Sequence, residues 1–137
     1  MKPAEPRILI ATNMFPTPEY PWLGIFVREQ VDSLKSLGVN VDLSIHLGRV
    51  SRWNYFRGLY DLTGKLRKNH FDLIHSHHTY STFLALAANR LAFRSVPVIQ
   101  TFHEGEIFSR RDCRAGHLPG RLKYSVSFKR RVLEKCR

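Results

Sequence analysis

Cysteine is nearly absent from this sequence: Cys113 and Cys136 are the two examples among 137 residues, and they form no CxxC pair. That excludes a disulfide scaffold and a cysteine-built metal or redox motif, and makes a reducing cytosol the expected setting. Long apolar runs are missing as well. Ile8-Leu9-Ile10-Ala11 follows a polar, proline-broken start and is too short for a signal sequence. Nothing approaches the ~20 apolar residues of a membrane-spanning helix. No GxGxxG follows this first apolar run, so the dinucleotide fingerprint is missing. Acidic residues are scarce, with 11 Asp and Glu against 22 Lys and Arg, for a net charge of +11.

What is present is ordinary for one globular domain: 43% hydrophobic and 24% charged residues. A chain of this size buries roughly two-thirds of its extended-chain surface and needs no covalent staple. The excess charge is localised. Residues 1–106 hold 12 Lys and Arg against 9 Asp and Glu, whereas residues 107–137 hold 10 against 2. Basicity therefore belongs to the end of the sequence, and a surface that coats nucleic acid uniformly is not expected.

Hydrophobic periodicity switches repeatedly along the chain. Arg7 to Met14 reads as a buried strand, and the three prolines between Phe15 and Leu23 enforce a loop. From Gly24 to Leu37 the apolar positions Phe26, Val27, Val31, Leu34 and Leu37 have helical spacing, and Gly38 is a natural stop. Val39 to His46 alternates as a second strand. Trp53 to Lys68 predicts a helix with Trp53, Phe56, Leu59, Tyr60, Thr63 and Leu66 on one side. Phe71 to His77 is a third strand, and Tyr80 to Phe93 is a helix whose alanines allow close approach to a sheet. Val96 to Phe102 is a fourth strand, with Pro97 near its start. A polar loop and a basic helical segment from about Arg121 complete the sequence. The alternation predicts an α/β, Rossmann-like, mostly parallel sheet flanked by helices. The final helix has no strand after it, so the domain is expected to be truncated before its last strands.

Ligands of open parallel sheets gather at the carboxyl ends of the strands. Unusual polar residues fall at those ends here: Asn13 after the first strand, His75, His77 and His78 at the third, and Thr101, His103, Glu104 and Glu106 after the fourth. Gly24 either turns the chain into its helix or lets a phosphate approach the free N–H groups there. Strand period places His75 and His77 on one face, with no carboxylate or cysteine at ligand spacing, so no metal is expected. The histidine and carboxylates of 103–106 either decorate a loop or bond sugar hydroxyls and stabilise charge.

Several segments, taken in order, resemble a known family. They are the proline-rich loop from Phe15-Pro16 to Pro21, then Gly24-Ile25-Phe26-Val27 with Gln30, Leu34, Leu37 and Gly38. Phe71-Asp72-Leu73-Ile74-His75-Ser76-His77 follows, and Pro97-Val98-Ile99-Gln100-Thr101-Phe102-His103 closes the set. From Arg7 to about Phe108 the chain resembles the N-terminal domain of family 4 glycosyltransferases, which have the two-domain GT-B architecture.

The resemblance implies the acceptor-side domain of a retaining enzyme that moves a sugar from a nucleotide-sugar donor to a sugar or lipid-linked acceptor. It implies catalytic roles for His103 and Glu106, and donor-diphosphate or acceptor binding around Gly24, Asn13, His75, His77 and Thr101. No cofactor is expected, the nucleotide sugar being a substrate. The whole of residues 1–137 would form one partial N-terminal domain, with a basic segment over 109–137. The donor-binding second domain that the resemblance implies is expected to lie outside these residues, so this stretch alone is expected to be inactive.

Two other function classes compete. One is a nucleic-acid module using the basic end, with Tyr124 and Phe128 among its charges. The other is a nucleotide-binding Rossmann domain of a different enzyme. The Trp53–Lys68 helix also admits two readings: packing its apolar side on the sheet, or lying in an anionic membrane interface flanked by Arg52, Arg57, Lys65, Arg67 and Lys68.

Overall fold

A computed structural model of the protein describes residues 5–48, 50–103, 131 and 134. The chain runs β1 (Arg7–Thr12), α1 (Ile25–Ser36), β2 (Asn40–Ile45), α2 (Trp53–Lys68), β3 (Leu73–His77), α3 (Thr79–Leu91) and β4 (Val98–Thr101). Every strand pair is parallel, and the sheet order is β2-β1-β3-β4. The α/β sheet flanked by helices is the one that periodicity predicts. Its elements differ only at their ends, where apolar runs outlast the hydrogen-bonded ladder. The basic helical segment expected from about Arg121 lies outside the described residues except at Arg131 and Glu134.

Side-chain parity along β1 builds two cores. Leu9 and Ala11 face one way and are completely buried with Leu62 and Leu66 of α2 and Leu84, Ala85 and Ala88 of α3. Ile10 faces the other way and packs with Val27 and Val31 of α1 and Val41 of β2. Full burial of such an aliphatic side chain contributes roughly 1.5–3 kcal/mol. Ala85 and Ala88 let α3 lie close over the sheet, and Ser76 fixes it there. The Ser76 hydroxyl shares a hydrogen bond with Thr82 Oγ1 at 2.7 Å and donates to Ile99 O at 2.9 Å. At the amino edge Arg7 joins three strands. Its guanidinium donates to Asp42 Oδ2 at 2.7 Å, its backbone N–H donates to Asp72 Oδ2 at 2.8 Å, and it stacks over Phe71.

The orientation of α2 corrects one expectation. Trp53, Phe56 and Tyr60 do not pack on the sheet; the buried residues of α2 are Gly58, Leu62 and Leu66. The physical reason is His46, just past β2. A Cβ at position 58 would stand 2.7 Å from His46 Cβ, so α2 can approach only with its glycine inward. That rotation seats Leu62 and Leu66 in the core and turns the aromatic arc outward. Lys65 locks the orientation, donating to Leu43 O at 2.6 Å and to Asp61 Oδ2 at 2.7 Å, while Ser44 donates to the same carboxylate oxygen at 2.6 Å.

His46 is itself buried, with Nε2 bonded to Ser81 Oγ at 2.9 Å and Nδ1 buried without a partner among the described residues. Burial lowers its pKa from 6.5 to about 4, against a smaller opposing pull from Asp61. The folded chain thus holds a neutral ring that the unfolded chain protonates near 6.5, and between the two values the unfolded state binds more protons. Stability is complete above pH 6.5 and falls as pH drops through that window toward 4. In denaturant titrations, the stability advantage of wild type over His46→Leu should shrink by about 3 kcal/mol across the window. An advantage independent of pH would contradict the assignment.

Candidate functional site at the carboxyl edge of the sheet

The strand order reverses direction at β1: α1 leads out to β2 on one side, and α2 returns the chain to β3 on the other. The crevice between the carboxyl ends of β1 and β3 is therefore a topological switch point, where doubly wound sheets bind ligands. Two helices begin beside it, α1 after Gly24 and α3 after His78. Neither has a side-chain cap or an acidic residue in its first turn. Their N–H groups and dipoles present partial positive charge to the crevice.

Gly24 sits at φ +69°, and a Cβ there would stand 2.7 Å from both the carbonyl carbon and oxygen of Met14. Met14 is held by Thr12, whose Oγ1 donates to Met14 O at 2.8 Å and accepts from Met14 N at 3.1 Å. Glycine is thus required by the close crossing of the chain, independently of any ligand. Asn13 lies in this turn, with its Oδ1 buried and unpartnered among the described residues.

Register on the α1 face of the sheet aligns Thr12 with His77 and His77 with Thr101. His75 Nε2 bonds Thr101 Oγ1 at 2.7 Å, so these two residues satisfy one another across β3 and β4. Burial pushes the His75 pKa down, favouring the neutral form of its ring. His77, almost wholly buried, meets His103 through Nδ1 and Nε2 at 3.1 Å. The rings of His75 and His77 stack with centroids 4.7 Å apart, and those of His77 and His103 with centroids 5.4 Å apart. Phe26, in the first turn of α1, packs on His103 at 4.5 Å between centroids. The glycine-started helix and the terminal histidine thus border the same crevice. Among the described residues no group of three or more His, Cys, Asp or Glu is arranged to hold a metal ion.

Glu106 lies outside the described residues. Of the other proposed site residues, the structure gathers His75, His77, Thr101 and His103 into one hydrogen-bonded and stacked row. Gly24 and Asn13 lie on the β1 side. Two contributors had no site role assigned from sequence: Phe26, and His78, which was noted only as a polar residue at the end of the third strand. Phe26 reads as a core residue of α1, yet it is exposed and turned toward the histidines. His78 adopts φ 70°, ψ 149° and lays its ring 4.7 Å from that of His103. Such a conformation belongs almost exclusively to glycine and costs about 1–3 kcal/mol in other residues. Its place as the fourth consecutive polar residue after Ile74 was the only signal for it.

Pockets among the described residues also lie elsewhere. One of about 320 Å³ sits at the amino edge among Asn69, Asp72, Arg94 and Pro97, the end of a parallel sheet that does not collect ligands. Another of about 260 Å³ is formed at the carboxyl edge by Tyr20, Trp22, Leu23 and Val50, where the β1–α1 and β2–α2 loops meet.

A parallel α/β domain with its strand order reversed at β1, two uncapped helix N-termini and a histidine row beside them is of the Rossmann-like class. Within that class the chain is a member of glycosyltransferase family 4, whose family model matches residues 11–137. No curated protein matches the chain. The domain accordingly serves sugar transfer, with a sugar donor and an acceptor as its substrates.

The geometry makes two substitutions informative. Gly24→Ala adds a methyl group against the Met14 carbonyl at positive φ, and should lower stability by about 2 kcal/mol or more in a thermal or denaturant melt. An unchanged midpoint would show that the crossing of Gly24 and Met14 is loose. At position 78, glycine should be more stable than alanine by about 1 kcal/mol or more, since only glycine accepts the backbone without strain. Equal stability would remove the case for strain there.

Proposed function

We propose that the chain is the acceptor-side, N-terminal domain of a two-domain GT-B enzyme that transfers a sugar from a nucleotide-sugar donor with retention at the anomeric carbon. The observation carrying this reading is the meeting of the α1 N-terminus with the His77–His103 pair in one crevice, through Phe26. The donor diphosphate lies against the N–H groups that open α1 beyond Gly24, where dipole and free donors favour negative charge. A sugar hydroxyl of donor or acceptor bonds His103, whose ring is held in place by His77 behind it and Phe26 beside it. The family resemblance alone assigns Glu106 a catalytic carboxylate role. Asn13 offers its amide to hydroxyl or phosphate groups. His75 and Thr101 brace the row from below.

A second α/β domain closes the other side of the crevice and brings the rest of the binding energy to the transition state. The separate N-terminal domain is therefore inactive. The cysteine-poor composition suits a cytoplasmic enzyme. Among the described residues, no helix is long and apolar enough to cross a membrane.

In the complete enzyme, assayed against UDP-, GDP- and ADP-sugars, His103→Ala should lower kcat by about a hundredfold or more. Its melting temperature should stay within a few degrees of wild type. Wild-type turnover by the folded variant would contradict the assignment of His103.

A further inference from the structure

The two layers of helices have opposite surface chemistry. The exposed side chains of α1 are charge-balanced, Arg28 and Lys35 alternating with Glu29 and Asp32. In α2 every exposed residue is aromatic or basic: Trp53, Phe56, Arg57, Tyr60, Arg67 and Lys68. The three aromatics are 73%, 66% and 84% exposed, respectively. Their spacing at i, i+3 and i+7 makes them one outward ridge, with Arg57, Arg67 and Lys68 beside it.

The composition continues onto the adjoining end of α3, which Arg67 reaches by donating to Leu91 O at 2.8 Å. There Arg90, Leu91, Phe93 and Arg94 are all exposed. Residues 47–103 contain eight Lys and Arg and only two acids, Asp61 and Asp72. Asp61 is occupied by Lys65 and Ser44, and Asp72 by the Arg7 backbone at the amino edge. The face is therefore positively charged and apolar at once.

We infer that the outer face of α2, with the adjoining end of α3, docks on an anionic phospholipid bilayer, the aromatics entering the headgroup layer and the basic residues meeting lipid phosphates. Charge decides among the occupants of such a face. A second copy of the chain brings the same positive surface, and residues 107–137, with 10 Lys and Arg against 2 Asp and Glu, carry the same sign. Both are repelled, whereas an anionic surface is complementary. Trp53 and Phe56 lean on one another with centroids 5.5 Å apart, which leaves no slot for a nucleic-acid base between them. Trp and Tyr are the side chains that settle at a membrane–water boundary. The helix begins after the carboxyl end of β2, so its Trp53 end brings the bilayer to the edge that carries the histidine row. The surface stands independently of the sugar-transfer reading.

Flotation of the full chain with vesicles of phosphatidylcholine alone, and of phosphatidylcholine mixed equally with phosphatidylglycerol, tests the inference. Binding should occur on the mixed vesicles only. In a Trp22→Phe background Trp53 emission should shift to the blue on binding. Combined Arg57→Glu, Arg67→Glu and Lys68→Glu should weaken binding by roughly a hundredfold, given about fivefold per basic residue at the surface. Combined Trp53→Ser, Phe56→Ser and Tyr60→Ser should abolish the tight component with the circular dichroism of the fold unchanged.

Equal recovery on both vesicle types would overturn the inference. So would undiminished binding by both triple variants, which would move the contact to the basic end of the chain. Tighter binding to duplex DNA than to the mixed vesicles, lost in the aromatic variant, would reassign the face to nucleic acid.

Discussion

Side-chain parity along β3 is the constraint on which the rest of the structure depends. Five residues must place Ile74 and Ser76 beneath α3 and, by alternation, turn His75 and His77 to the α1 face. Ile74 is fully buried in the larger core, so a slip of one residue in pairing with β1 would drive imidazoles into that core and expose isoleucine. The hydrophobic core therefore sets the register, and the register delivers the histidines to the crevice. The His75–Thr101 bond and the His77–His103 pair extend this order into β4 and the second residue beyond it. Folding and site construction are here the same event.

The α1 side of the crevice has an equally local origin. Thr12 closes the turn after β1 and fixes the Met14 carbonyl. That carbonyl leaves room for no side chain at position 24, and the resulting glycine starts α1 with its N–H groups uncapped. An uncapped helix terminus thus follows from steric crowding, independently of any ligand. The strain at His78 has a matching location on the other side, at the start of α3.

The strands, helices and their order were legible because periods of 2 and 3.6 alternate cleanly and glycine and proline mark the breaks. The carboxyl-edge placement of Asn13, His75, His77, Thr101 and His103 followed from fold class alone, since every strand of a parallel sheet points the same way. The inward side of α2 was not legible. Its apolar residues, Trp53 to Leu66, span too wide an arc for the wheel to select a centre. The selection was made by a tertiary contact, Gly58 against His46, that leaves no trace in local sequence. Nor could local pattern show that His46 is buried as a neutral ring, or that His78 carries a positive φ. The first depends on Ser81 of α3, distant in sequence from His46, and the ring of His78 lies against His103 beyond β4.

The central claim is that the crevice between β1 and β3, and not the pocket at the amino edge, receives the nucleotide part of the donor. Backbone amide chemical shifts of the isotopically labelled chain, followed while UDP, GDP and ADP are titrated in turn, test it most directly. The account predicts that the nucleotide which binds shifts Ile25, Phe26, Thr79 and His103. Shifts confined to Asp72, Arg94 and Ser95, with Phe26 and His103 unmoved, would contradict it.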